Sequence, residues 1–174
     1  MLDVAVAYNR YKFIGFEFLT WLWFTIENDQ AYLKKLQEDL ASLDLGNRVV
    51  LENRQSEAME TVTIKGDDAG LEEGRLALKK GAVVTEMNLL FKFGDQKWQF
   101  SLKGESLGVA NLKTPDAGPV ESRDDLEGAM LEKTYLYDKA MNFVYLIFYD
   151  FIKHRISKDW HHQIVPQIRK WIAV

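Results

Sequence analysis

The sequence predicts an α+β fold: an antiparallel sheet of about four to five strands, covered on one face by helices, with helical N- and C-terminal segments. Two observations carry this. The stretch from Gly81 to Lys103 places Met87, Leu89, Phe91 and Phe93 at every second position, and Trp98, Phe100 and Leu102 likewise after Gly94-Asp95-Gln96. A period of two gives one apolar and one wet face, and the glycine-led tripeptide supplies turn chemistry, so this is a hairpin. The order of patterns is the second observation. Helical spacing comes first, then strands with one inserted helix, then helical spacing to the end, which is not the alternation of a doubly wound sheet.

From the N-terminus, Leu2 to Asn9 alternates loosely and reads as a short strand or a tail. Tyr11 to Glu27 is the densest apolar segment, with Phe16, Phe18, Trp21, Trp23 and Phe24, and reads as a core helix buried on most of its circumference. Its rings are too consecutive for a base-stacking platform, which needs them on a polar surface. Asp29 is placed to cap a second helix from Gln30 to about Leu43, with Leu33, Leu36, Leu40 and Leu43 on one side and Gly46 as its C-terminal cap. Arg48 to Gln55 and Glu60 to Lys65 read as strands, the latter with Thr61, Val62, Thr63 and Ile64.

Gly66-Asp67-Asp68 then leads into a short helix carrying Leu71, Arg75, Leu78 and Lys79, which stops at Lys80-Gly81. The hairpin follows, and a last strand is expected at Leu107 to Leu112. Lys113 to Val120 holds two of the three prolines and marks a loop. Beyond it, Asp124 and Asp125 favour a helix start, and Leu126, Met130, Phe143, Ile147 and Phe151 trace an apolar stripe. Ser157 is read as the cap of a terminal helix bearing Trp160, Ile164, Ile168 and Trp171, kinked by Pro166. The division is therefore a sheet lobe over 1–113, a loop or linker over 114–122, and a helical segment over 123–174 packing on that lobe as one compact domain.

Composition excludes several function classes. The chain has 174 residues, 47% of them hydrophobic, a net charge of −4 and no cysteine. An acidic chain is no polybasic nucleic-acid coat, so any phosphate contact needs a local patch. Without cysteine there is no disulfide, thiolate metal site or cysteine nucleophile. The apolar run from Phe13 to Ile26 is shorter than the roughly twenty residues that span a bilayer and contains Glu17. It also lacks the basic start of a signal peptide, so a soluble cytoplasmic protein with no membrane contact is expected.

Motifs for chemistry are sparse. No phosphate-binding glycine loop or nucleophile elbow is present. Asp150 and His154 are four apart on one helix face, with Asp159, His161 and His162 beyond. Neighbouring histidines diverge by about 100° on a helix, so surface roles are expected and no metal or cofactor. Asp95-Gln96-Lys97 has a nuclease-like spacing but falls in the hairpin turn, where the acid is open to water. Glu17, inside the aromatic helix, is a carboxylate that burial could perturb. What remains is the wet hairpin face with Lys92, Lys97 and Lys103, with Arg48, Arg54 and Lys65 on adjacent strands and Arg75, Lys79, Lys80 and Lys113 expected near it. Such a face suits contact with a phosphate backbone without base readout.

Phe16-Glu-Phe-Leu-Thr-Trp-Leu-Trp-Phe24, Val49-Val-Leu-Glu52, Gly81-Ala-Val-Val-Thr85 and Trp98-Gln-Phe-Ser-Leu-Lys103 resemble the C-terminal portion of the recombination-associated RdgC family. Leu131-Glu132 and Ile168-Arg-Lys-Trp171 resemble distant members of it. The resemblance implies a non-enzymatic protein that binds double-stranded DNA with little sequence preference, as a ring-shaped homodimer that restrains a RecA-type recombinase. It also implies DNA contact by a basic residue followed by glutamine, at Arg54-Gln55 here. Family members are longer, and their N-terminal half has no counterpart in these residues. The alternative expectation is a shortened relative that serves as a protein-interaction or dimerisation module without DNA binding.

Overall fold

The predicted hairpin is the centre of the molecule. In the computed structural model, which describes residues 4–29, 31, 32, 36, 41–53, 60–64, 68–118, 120 and 122–173, β3 (Val83–Phe93) turns through Gly94 into β4 (Gln96–Lys103). The register sets Phe91 opposite Trp98, Leu89 opposite Phe100 and Met87 opposite Leu102, and all six are buried. β1 (Ala41–Asn53) pairs antiparallel with the other side of β3. β2 (Glu60–Ile64) and β5 (Gly108–Lys113) form the two edges, so the order is β2-β1-β3-β4-β5.

Helices cover the apolar face because six bulky side chains of the hairpin need a dry neighbour, each burial stabilising by about 1.5–3 kcal/mol. α1 (Val4–Tyr11) precedes α2 (Phe13–Asn28), which lies across β3 and β1 with Trp21, Leu22 and Trp23 all buried. Burial of three consecutive residues confirms a helix enclosed on most sides. α3 (Asp68–Lys79) packs on β1 and β2 and meets the last helix, α5 (Val165–Ala173). The long α4 (Arg123–Ile156) sends Leu136, Ala140, Phe143, Ile147 and Phe151 into the core at spacings of three and four. The Phe143 ring stacks on Phe91 with centroids 3.8 Å apart, and the Trp98 indole donates to the Leu136 carbonyl at 3.0 Å.

At Gly15 the fold demands the absence of a side chain. α2 runs so close to the β4–β5 turn that a β-carbon there would overlap the Gly104 carbonyl. Helix and turn touch backbone to backbone.

Several expectations need correction. Residues 4–11 are helical, where a strand or a tail was expected. The helix placed over Gln30 to Leu43 does not reach Leu43: Ala31, Tyr32 and Leu36 are helical, but β1 begins at Ala41. Leu43 fits both a spacing of seven, or two helical turns, from Leu36 and a spacing of two with Ala41 and Leu45, and the open edge of β3 decides between them. Its N–H and C=O groups need partners, and the segment from Ala41 to Leu45 supplies them. Gly46 is accordingly no helix cap. It sits in a β-bulge, where Gly46, Asn47 and Arg48 stand against the single residue Asn88.

Leu126 and Met130 leave the stripe assigned to them, since both are exposed and the core face of α4 begins at Leu136. Ser157 ends α4 and does not open the next helix: its hydroxyl donates back to the His154 carbonyl at 2.7 Å. The start of α4 is capped instead by Ser122, whose side chain accepts from the Asp125 N–H. Pro166 has no amide hydrogen to give the continuous helical run it sits in, and the turn just before it, from Trp160 to Ile164, widens to a π-helix.

Candidate nucleic-acid interface

The face of the sheet opposite the helices is where the basic residues were expected to meet. Alternation along β3 and β4 does turn Lys92, Lys97, Gln99 and Ser101 to that side. Lys92 and Lys97 are direct cross-strand partners. Like charges so placed repel, and Asp44 of β1 relieves the pair by binding Lys92 at 3.0 Å. Lys103 stands opposite Glu86, six residues along β4 from Lys97, which is roughly 20 Å at the rise of a strand. Its stem lines an apolar groove on the helical side. The three lysines therefore do not converge. Arg54, Gln55 and Lys65 lie outside the described residues.

The open face is also less uniformly polar than the hairpin sequence implies. Val50 is buried there and Leu90 half-buried. Arg75 and Lys79 belong to the other layer: Arg75 reaches Glu27 at 3.4 Å and Lys79 the Ala173 carbonyl at 3.4 Å. Because α3 packs toward α5, its cations are spent on helix contacts and are not available to the sheet.

Two of the expected neighbours do arrive. Arg48 and Lys113 border a cavity of about 240 Å³ with Glu86, Asn88, Gln99 and Asn111. Two bulges shape it. The first is at Gly46–Arg48 in β1; the second is in β5, where the pairing slips between Gln99 and Ser101 and Asn111 adopts φ 53°. Both fall level with Asn88 and Ser101, whose side chains are buried between them. Asn88 donates to the Ser101 hydroxyl and the Phe100 carbonyl, each at 3.2 Å, and accepts from Gln99 at 3.0 Å. The polar centre of this face is thus internally satisfied, and its free chemistry lies in the cations at the rim.

The remaining candidates are held in structural bonds. Glu17 accepts from Arg155 Nε at 2.6 Å. Asp150 accepts the Tyr32 hydroxyl and pairs with His154 at 3.3 Å. Burial first, then Asp150, holds the Tyr32 phenol well above the ordinary tyrosine range, so it remains a donor. Asp159 accepts from Gln163, and His161 and His162 are exposed on the π-turn. Among the described residues no group of three or more His, Cys, Asp or Glu side chains is placed to hold a metal ion. Nor, among them, is any helix long and apolar enough to cross a membrane.

Sequence reasoning missed the outward surface of α4. Tyr145 and Tyr149 stack in the open with rings 6.1 Å apart, and Met141, Tyr145, Leu107 and Val109 border a largely apolar groove of about 230 Å³. The signal was present as an apolar residue roughly every fourth position outside the core stripe, but one helix with apolar residues on two sides reads as simply buried. No protein-family model matches the sequence, and none of the curated proteins compared with it is similar to it.

Proposed function

We propose that this chain is a non-enzymatic protein-contact module whose binding surface is the outward side of α4. One observation carries the reading. α4 bears large apolar side chains left open to water, with Met130 and Tyr145 each 64% exposed and Ile156 80%, in line with the groove beside β5. Large apolar side chains left open beside an apolar groove mark a place where another macromolecule sits. Of the carboxylates that could otherwise suggest catalysis, Glu17 bonds Arg155 and Asp150 bonds Tyr32, each joining one helical segment to another. A benzophenone amino acid at position 145 should form covalent protein adducts in cells that express the chain, and the same group at position 97 should not. Equal labelling at both positions would remove the reading.

A second reading, duplex DNA binding in recombination or replication control, is favoured by Arg48, Lys97 and Lys113 on the open sheet face and by the resemblance to RdgC. Its test is separate. Affinity for duplex DNA should fall steeply with salt, and Arg48→Glu or Lys113→Glu should weaken all sequences about equally. No binding at low ionic strength ends it.

A further inference from the structure

We infer that the groove at the foot of the α4 surface receives the C-terminal residue of a partner polypeptide, whose apolar side chain enters it while the terminal carboxylate meets Lys103. This rests on the protein-contact reading above and names the part of the partner that docks. The groove holds about 230 Å³ and is walled by α2, by α4 and by the strands and turn of β4–β5. Phe18, Leu19 and Leu102 are buried beneath it, while Leu107, Met141 and Tyr145 line it and are exposed. An apolar cavity of about 150 Å³ takes one benzene ring. This one therefore has room for a single phenyl or branched aliphatic side chain, and not for two.

The walls are set before anything binds. The close approach of Gly15 to the Gly104 backbone fixes α2 against the turn, and the Phe18 and Phe148 rings meet edge to face at 5.2 Å. A preformed site spares its ligand the ordering that weakens binding. Leu107 is an independent indication. It is held at φ 52°, a conformation strained for a bulky side chain, and it is exposed, so core packing does not account for the leucine. Glycine would be relaxed there; leucine adds a wall to the groove.

Charge selects the ligand. Lys103 is the one charged side chain among the described residues that line the groove, and its ammonium has no hydrogen-bond or ion-pair partner among the described residues. The acids beside it turn elsewhere. Glu86, opposite Lys103 in register, borders the cavity on the other face of the sheet, and Glu105 lies 3.9 Å from Lys12. A cation on an apolar rim suits a carboxylate attached directly to an apolar group. An acid next to an apolar residue inside an extended peptide does not provide this, because neighbouring side chains point to opposite sides. The last residue of a chain does, since side chain and carboxylate share one α-carbon. A polypeptide suits the site better than a free small acid, because the stacked Tyr145 and Tyr149 continue the apolar surface along α4, where the residues before the last one can lie.

The probes are a hexapeptide ending in phenylalanine with a free carboxylate, its C-terminal amide, and N-acetylphenylalanine. Each is titrated into the full chain and followed by NMR of isotope-labelled methionine methyl groups. Met141 lines the groove and Met130, on the same helix, does not, so the Met141 signal should shift and the Met130 signal should stay. The amide and N-acetylphenylalanine should each bind about tenfold more weakly than the free peptide. Lys103→Met should bring the free peptide down to the affinity of its amide and leave the amide unchanged. Leu107→Gly, which relieves the strained backbone, should weaken both peptides and keep the circular dichroism of the parent. Equal affinity of free and amidated peptides overturns the inference, as does a Lys103→Met variant that still prefers the free form. N-acetylphenylalanine binding as tightly as the hexapeptide assigns the groove to a small acid and overturns it too. Adducts from the position-145 probe with no peptide bound at Met141 keep the contact module and discard the chain terminus; neither adducts nor peptide binding discards both.

Discussion

The indole N–H of Trp171 donates to Glu27 Oε2 at 2.8 Å, across 144 residues of chain. The other oxygen of the same carboxylate accepts the Trp23 indole at 2.6 Å, and Arg75 lies 3.4 Å from Oε2. One side chain at the end of α2 therefore fastens α3 and α5 to it. Glu27→Ala leaves two indole donors and a guanidinium without their acceptor. At about 1–3 kcal/mol for each buried donor left unmade, a loss of roughly 2–4 kcal/mol is expected. Glu27→Gln, which keeps one acceptor, should lose about half of that. Urea denaturation followed by tryptophan fluorescence measures both.

Gly15→Ala sets two effects against each other. In an open helix the change stabilises by about 1 kcal/mol through propensity. Here the added carbon meets the Gly104 backbone, which has no flexible end to yield. Overpacking of this kind costs about 1–3 kcal/mol or more, so the clash wins and the midpoint of unfolding falls. A rise in the midpoint would show that α2 and the β4–β5 turn separate easily.

The two sides of α4 should respond differently to truncation. Phe143→Ala removes the ring stacked on Phe91 and should cost about 3–5 kcal/mol. Met130→Ala, on the open side, should change monomer stability by less than about 0.5 kcal/mol. Denaturation at low micromolar concentration separates the two.

Alkaline stability tests Tyr32. Its phenol ionises well above the ordinary value of 10.0, first because it is buried and then because it donates to Asp150. The unfolded chain releases the proton near that ordinary value while the folded chain retains it. Stability from this group is therefore whole below about pH 10 and is lost as pH rises further. Tyr32→Phe should flatten the decline above about pH 10. Lys139, whose ammonium is lowered by burial, acts with the opposite sign in the adjoining range, and comparing wild type with Tyr32→Phe cancels it.

The hairpin, the helix around Trp21 and the covering of one sheet face were legible because each rests on a local period. Phe91 and Trp98 face inward for no reason beyond alternation. Leu43 was misread because its neighbours satisfy two periods at once, and only the unfilled edge of β3 chooses. The basic face was overread for a related reason. Alternation tells which side Lys92 occupies, but Asp44 comes from another strand, and no local pattern announces that pairing. Arg48 was counted as a neighbour, yet the bulge that brings it over Asn88 depends on Gly46 approaching that side chain too closely for any β-carbon. The outward stripe of α4 has period enough, but exposure is decided by which of two apolar sides finds the sheet first.

The bulge in β5 reaches further than the cavity it helps to frame. That strand is only six residues long, is entered through Leu107 at φ 52°, and carries Asn111 in a left-handed conformation within it. An outer strand so short and so bent offers a poor template for a foreign strand. The other border is shorter still, five residues with Thr61 and Thr63 in water. Neither margin invites the sheet to grow by accretion, so crowded solutions of this protein should resist fibre formation, and assembly is left to the helices.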